Sequence, residues 1–81
     1  MNAYERAEER LRLLLPTLAG RLGSQDARSV EELIDHNECG VALENMCAQL
    51  HEFDAALSTT ELDELRLIAS LLGVDVGYLS K

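Results

Sequence analysis

Apolar residues recur along this chain at intervals of three and four, the spacing of one face of an α-helix. Tyr4, Ala7, Leu11, Leu14, Leu15, Leu18 and Leu22 make the first stripe, with Asn2 placed to cap its start. Pro16 falls inside that stripe and has no N–H for the Arg12 carbonyl, so a kink or break is expected there. Gly23 reads as the stop, and Ser24 to Arg28 as a polar linker. Ser29-Val30-Glu31-Glu32 then has the spacing of a capping box, in which a Ser hydroxyl and a Glu carboxylate satisfy each other's backbone amides. It predicts a short second helix burying Val30, Leu33 and Ile34.

Asn37 is positioned to cap a third helix whose apolar side reads Leu43, Met46, Cys47, Leu50 and Phe53. Gly40 in its first turn suits close approach of another backbone. Ser58 and Glu61 form a second capping box, opening a fourth stripe of Leu62, Leu65, Ile68, Ala69 and Leu72 that Gly73 ends. The tail, Val74 to Lys81, reads as a tucked-in turn or short helix. No strand-like alternation, internal repeat or low-complexity stretch interrupts this pattern. The predicted fold class is therefore all-α, a compact bundle of four main helices in a single domain over residues 1–81.

Composition sharpens that picture. One Pro, no Trp and a hydrophobic content of 47% leave a core of Leu, Ile, Val, Ala and Met and argue against disorder. The net charge of -8 is unevenly placed. Arg6, Arg10, Arg12, Arg21 and Arg28 nearly balance Glu5, Glu8, Glu9 and Asp26, but from Ser29 to Leu65 there is no Lys or Arg at all. That stretch carries Glu31, Glu32, Asp35, Glu38, Glu44, Glu52, Asp54, Glu61, Asp63 and Glu64. These acids alternate with apolar residues at helical spacing, so they decorate a folded surface. One-sided charge costs self-repulsion and suits attraction of a basic partner. It argues against direct nucleic-acid binding, which draws on clustered Lys and Arg.

No apolar run approaches the roughly 20 residues that cross a bilayer. The N-terminus is polar and acidic, without a signal-peptide pattern, so a cytoplasmic protein with no membrane contact is expected. Cys39 and Cys47 are then expected to be reduced thiols, Cys47 serving as a small core residue.

The candidate chemistry is thin. His36, Cys39, Cys47 and His51 have ligand-type residues, but the residues between them read as continuous helix, so no metal is expected. His36 with Glu38 could be an acid–base pair and Cys39 a nucleophile, yet no third residue is spaced to orient the histidine. No serine stands in the Asp-Ser-Leu context that an acyl carrier protein needs. A protein that is no enzyme and has no cofactor is expected. Leu67 to Lys81, with Ala69, Leu72-Gly73-Val74 and Leu79-Ser80, resembles the first helix and turn of a repressor-type helix-turn-helix. A helix-turn-helix-like transcriptional regulator or antitoxin is the alternative reading, weakened because Lys81 is the one basic residue in that stretch.

The run Leu33-Ile34-Asp35-His36-Asn37-Glu38-Cys39-Gly40-Val41-Ala42-Leu43-Glu44-Asn45-Met46-Cys47 resembles the central motif of MafI-like immunity proteins. The likeness extends loosely from Val30 to about Leu72. It implies a small cytosolic helical immunity protein that binds and neutralises a cognate bacterial toxin from a contact-dependent system, often a nuclease of the EndoU RNase type. That implication agrees with the charge pattern, which by itself suits a basic partner, because a phosphate-binding active site is basic and an acidic surface can occupy it. The expected contacts are Glu31, Glu32, Asp35, Glu38, Glu44 and Glu52, on the outer sides of the second and third helices.

Overall fold

Reciprocal caps set the first and last helices. Asn2 Oδ1 accepts from the Glu5 N–H at 2.8 Å while the Glu5 carboxylate accepts from the Asn2 N–H at 3.2 Å. Ser58 and Glu61 repeat the arrangement at 3.1 and 2.9 Å. In the computed structural model, which describes residues 1–80, α1 spans Ala3–Leu18, α2 Ser24–Asp35, α3 Cys39–Glu52 and α4 Thr59–Leu72. Short 3₁₀ turns follow at Ala19–Arg21 and Gly77–Ser80; Lys81 of the predicted tail lies outside the described residues. The class is all-α, as the stripes predict, with no strand among the described residues.

Several expectations about element ends are corrected. The helix does not break at Pro16: α1 runs through it and tightens to 3₁₀ geometry only at Ala19. The ring is exposed, and Leu14, Leu15 and Leu18 around it are buried, so packing holds the turn that lost one hydrogen bond. Gly23 is the extended residue that opens α2 (φ −64°, ψ 150°), with its carbonyl accepting from Ala27 at 3.0 Å. The supposed linker from Ser24 is thus helical, and Ser29 and Glu32 sit in the helix interior instead of forming a cap. Half-buried Ala27 lies one turn before Val30 and extends the buried stripe, which gives those residues a reason to be helical.

Asn37 does not cap α3. It sits just past the end of α2 in the left-handed conformation (φ 63°), and Glu38 takes the cap position without a side-chain bond. The same device ends α3 and α4, at Asp54 (φ 50°) and Gly73 (φ 69°). In each case an amide reaches back five residues: Glu38 to Leu33, Ala55 to Leu50 and Val74 to Ala69, all at 2.9 Å. These tight reversals keep the connections short.

The core is built mainly from α3. Cys39, Ala42, Leu43, Met46, Cys47 and Leu50 are buried there against Leu11 and Leu18 of α1, Val30 and Ile34 of α2, and Leu65 and Ile68 of α4. Val76 is buried too and pins the tail to the bundle. Phe53, expected on this apolar side, is instead 52% exposed, because it falls where α3 ends and the turn carries its ring outward. Gly40 is not needed for backbone approach: an added Cβ would meet only Val74 Cγ2 at 3.7 Å, an ordinary contact. The radius of gyration is 11.4 Å, against roughly 11.6 Å for a folded chain of this length. Among the described residues no helix is long and apolar enough to cross a membrane.

Replacing Leu43 or Leu50, both fully buried, with Ala should destabilise the fold by about 2–5 kcal/mol. Ala48 is exposed on the same helix, and its change to Ser should alter stability by no more than about 0.5 kcal/mol. Urea denaturation of the three variants checks the ranking, and the reverse order would misplace the buried face of α3.

Candidate functional site

The electrostatics of the bundle divide along its helices. Arg10 of α1 grips Glu64 of α4 with two bonds of 2.7 and 3.0 Å. Arg21 does the same to Glu61 at 2.6 Å for each nitrogen, and also donates to the Ala56 and Thr17 carbonyls. Arg12 joins Glu8 on its own helix and Asp35 of α2 at 2.8 Å. Such bidentate geometry suits the planar guanidinium and two carboxylate oxygens. The arginines are thus drawn to the seams that α1 makes with α4 and α2.

The α3 side has no such compensation, and on α2 exposed Arg28 stands one turn before Glu31 and Glu32 without an ion pair to either among the described residues. Glu31, Glu32, Glu38, Glu44 and Glu52 are exposed and make no ion pair among the described residues. On α3, Val41, Glu44, Ala48 and Glu52 follow one another at three- and four-residue steps, an outward ridge opposite Leu43, Cys47 and Leu50. Glu38 stands at its N-terminal end, while Glu31 and Glu32 face solvent on the neighbouring α2. Asp35 differs from the other expected contacts, being exposed but bound to Arg12.

The residues that suggested catalysis or metal binding are not brought together. Cys39 and Cys47 are buried free thiols, whereas His36 and His51 are exposed. Burial pushes the Cys47 thiol up to about 12, leaving it protonated at neutral pH. The Cys39 N–H donates to the Tyr4 hydroxyl at 3.2 Å. His36 donates through Nδ1 to the Glu32 carbonyl at 2.7 Å, and its hydrogen bonding does not involve Glu38. Among the described residues no group of three or more His, Cys, Asp or Glu side chains could hold a metal ion.

One feature of this side has no signal in the sequence. Tyr78 of the last turn meets His51 of α3 edge to face, with ring centroids 5.1 Å apart. The Tyr78 phenol is raised above its ordinary value, first by burial and then by Cys47, Glu44 and Asp75. The contact joins residues far apart in the chain, so no local spacing announces it. No family model, curated protein or solved structure matches this chain.

The Arg21–Glu61 pair gives a test of this charge division. Arg21, helped by the Ser58 N–H, holds the Glu61 carboxyl down at about 2 against an ordinary 4.5. A carboxyl whose folded value is depressed stabilises the fold above its unfolded value and loses that contribution as pH falls. The contribution should therefore be complete above about pH 4.5 and fade toward about pH 2. Glu61→Gln keeps an acceptor for the Ser58 cap and removes the charge, so it should lower neutral-pH stability and flatten the acid limb. Urea midpoints measured across that range check it. An unchanged acid slope would remove the pair from the account.

Proposed function

We propose that this chain is an immunity-type inhibitor that docks its acidic α2–α3 side on the basic surface of a cognate protein toxin. A nuclease such as an EndoU-type RNase is the favoured target. One observation carries the reading: Glu31, Glu32, Glu38, Glu44 and Glu52 stand exposed without an ion pair among the described residues, although α1 and the turn after it match Glu61, Glu64 and Asp35 to arginines. The stretch that resembles MafI-like immunity proteins, Leu33 to Cys47, supplies the turn between α2 and α3 and part of the α3 ridge. Carboxylates on a rigid helix can stand where substrate phosphates would lie, steer encounter and pair with Lys or Arg. The inhibition would be stoichiometric occlusion, acting in the cytoplasm of the cell that must be protected. Asp35 has a lesser part in this scheme, because Arg12 already neutralises much of its charge.

The test uses single Gln or Asn replacements at Glu31, Glu32, Asp35, Glu38, Glu44 and Glu52, each first shown to melt like the parent. Binding is measured at two ionic strengths against a candidate toxin, a purified EndoU-type RNase domain. Neutralising an acid at the edge of the contact should slow association and weaken its salt dependence. Neutralising one buried against Lys or Arg should cost roughly 2–5 kcal/mol, through faster dissociation. Asp35→Asn should have the smallest effect. If all the variants bind with the parent's rates, the acidic side is a solubility feature. A DNA mobility shift by the parent protein at low salt would favour the regulator reading instead.

A further inference from the structure

The C-terminal end of α3, the segment 55–57 and the turn at Gly77–Ser80 enclose a cleft of about 190 Å³. Its lining is mixed: half-buried Leu57, Leu62 and Leu79 supply the apolar part, and exposed His51, Asp54 and Tyr78 the polar part at its mouth. We infer that this cleft receives a single Lys or Arg side chain from a basic partner protein, and so supplies a specific anchor beside the acidic ridge. The inference rests on the reading that the chain docks a basic protein.

Size points to a side chain. Sites for free small molecules run from about 300 to 1,000 Å³, and this cleft is smaller. Its chemistry is divided in the way an alkyl cation is divided. A Lys or Arg stem lies favourably along leucine while its charged head seeks polar company. The backbone that carries the carboxylate at the mouth is set in advance, because Asp54 occupies the left-handed turn that ends α3. Its N–H donates to the His51 carbonyl at 3.1 Å, and the next amide reaches Leu50 at 2.9 Å. It makes no ion pair among the described residues. A backbone fixed before binding loses little freedom when a partner arrives.

The aromatic pair completes the match. Edge-to-face packing at 5.1 Å holds Tyr78 and His51 together at the mouth. A ring face attracts a cation, and tyrosine is among the residues that most often dominate protein interfaces. Glu44 and Asp75 lie close enough to raise the Tyr78 phenol further, so the field at the mouth is negative. By contrast, the cleft between α1 and α2 has Arg12, Arg28 and Glu31 at its edge, a mixed charge that selects neither sign.

The experiment is a ¹⁵N NMR titration of the full chain with Nα-acetyl-arginine-N-methylamide, with the norleucine derivative as neutral control. Saturable shifts should centre on His51, Asp54, Ala55 and Tyr78 with the arginine probe and be absent with norleucine. Asp54→Asn keeps a residue that tolerates the left-handed turn and should weaken binding roughly two- to fivefold. Tyr78→Leu should weaken it too, whereas Glu9→Gln, on the exposed side of α1, should leave it unchanged. Shifts spread evenly over the acids of α2 and α3, equal binding of norleucine, or indifference to Asp54→Asn would each overturn the inference. With the toxin domain, Asp54→Asn and Tyr78→Leu should speed dissociation. Unchanged rates for both variants, with ridge variants still impaired, would remove the cleft and leave the docking reading standing.

Discussion

Burial of the α1 stripe decides where the positive charge of this protein goes. Ala7, Leu11, Leu14, Leu15 and Leu18 turn inward, so Arg10 and Arg12 emerge on the flanks of α1 and Arg21 just beyond its end. From there they reach Glu64, Asp35 and Glu61 on the helices packed alongside. Little net stability is expected from any one exposed pair. Their combined effect is on placement: Arg10, Arg12 and Arg21 are held at the seams of α1, and Arg28 on α2 is left as the cation nearest Glu31 and Glu32. Helix α3, with no Lys or Arg of its own, turns its apolar side to the core and its acids outward.

That division links the fold to a use. A ridge on a helix that supplies Leu43, Met46, Cys47 and Leu50 to the core has little freedom to adapt, so its carboxylates are presented at fixed spacing. The left-handed reversals at Asn37 and Asp54 hold the two ends of this region, through the same five-residue backbone bond. At the second of them the chain places Asp54 beside the His51–Tyr78 pair, where Val76 keeps the tail anchored. The acidic side therefore has a broad, steering part on α2 and α3 and a concave part at the end of α3. On the proposed reading the first would serve mainly encounter, and desolvated contacts would set the lifetime of the complex.

Much of the fold could be read from spacing, because stripes of three and four report burial directly. The α3 and α4 core faces, the Asn2 and Ser58 caps and the Gly73 stop all followed from local chemistry. The failures occurred where one residue type serves two ends of a helix. Asn favours both an N-cap and a left-handed exit, and at position 37 the exit prevailed. Ser29 and Glu32 have capping-box spacing, yet burial of Ala27 a turn earlier makes them helix interior. Of the expected contact acids, exposure was legible from the stripes, but the capture of Asp35 by Arg12 was not, since it depends on how α1 lies against α2. The Tyr78–His51 contact was hidden for the same reason.

The central claim is that the unmatched carboxylates of α2 and α3 are covered when the protein meets its partner. Carbodiimide footprinting reads this directly, by coupling glycine ethyl ester to accessible carboxylates in the free chain and in its complex with a candidate toxin domain that it binds. The account predicts strong protection of Glu38, Glu44 and Glu52, with Glu31 and Glu32 protected beside them, while Glu9 on the exposed side of α1 reacts as in the free protein. Equal labelling of the α3 acids in both states, with protection confined to α1 and α4, would contradict it.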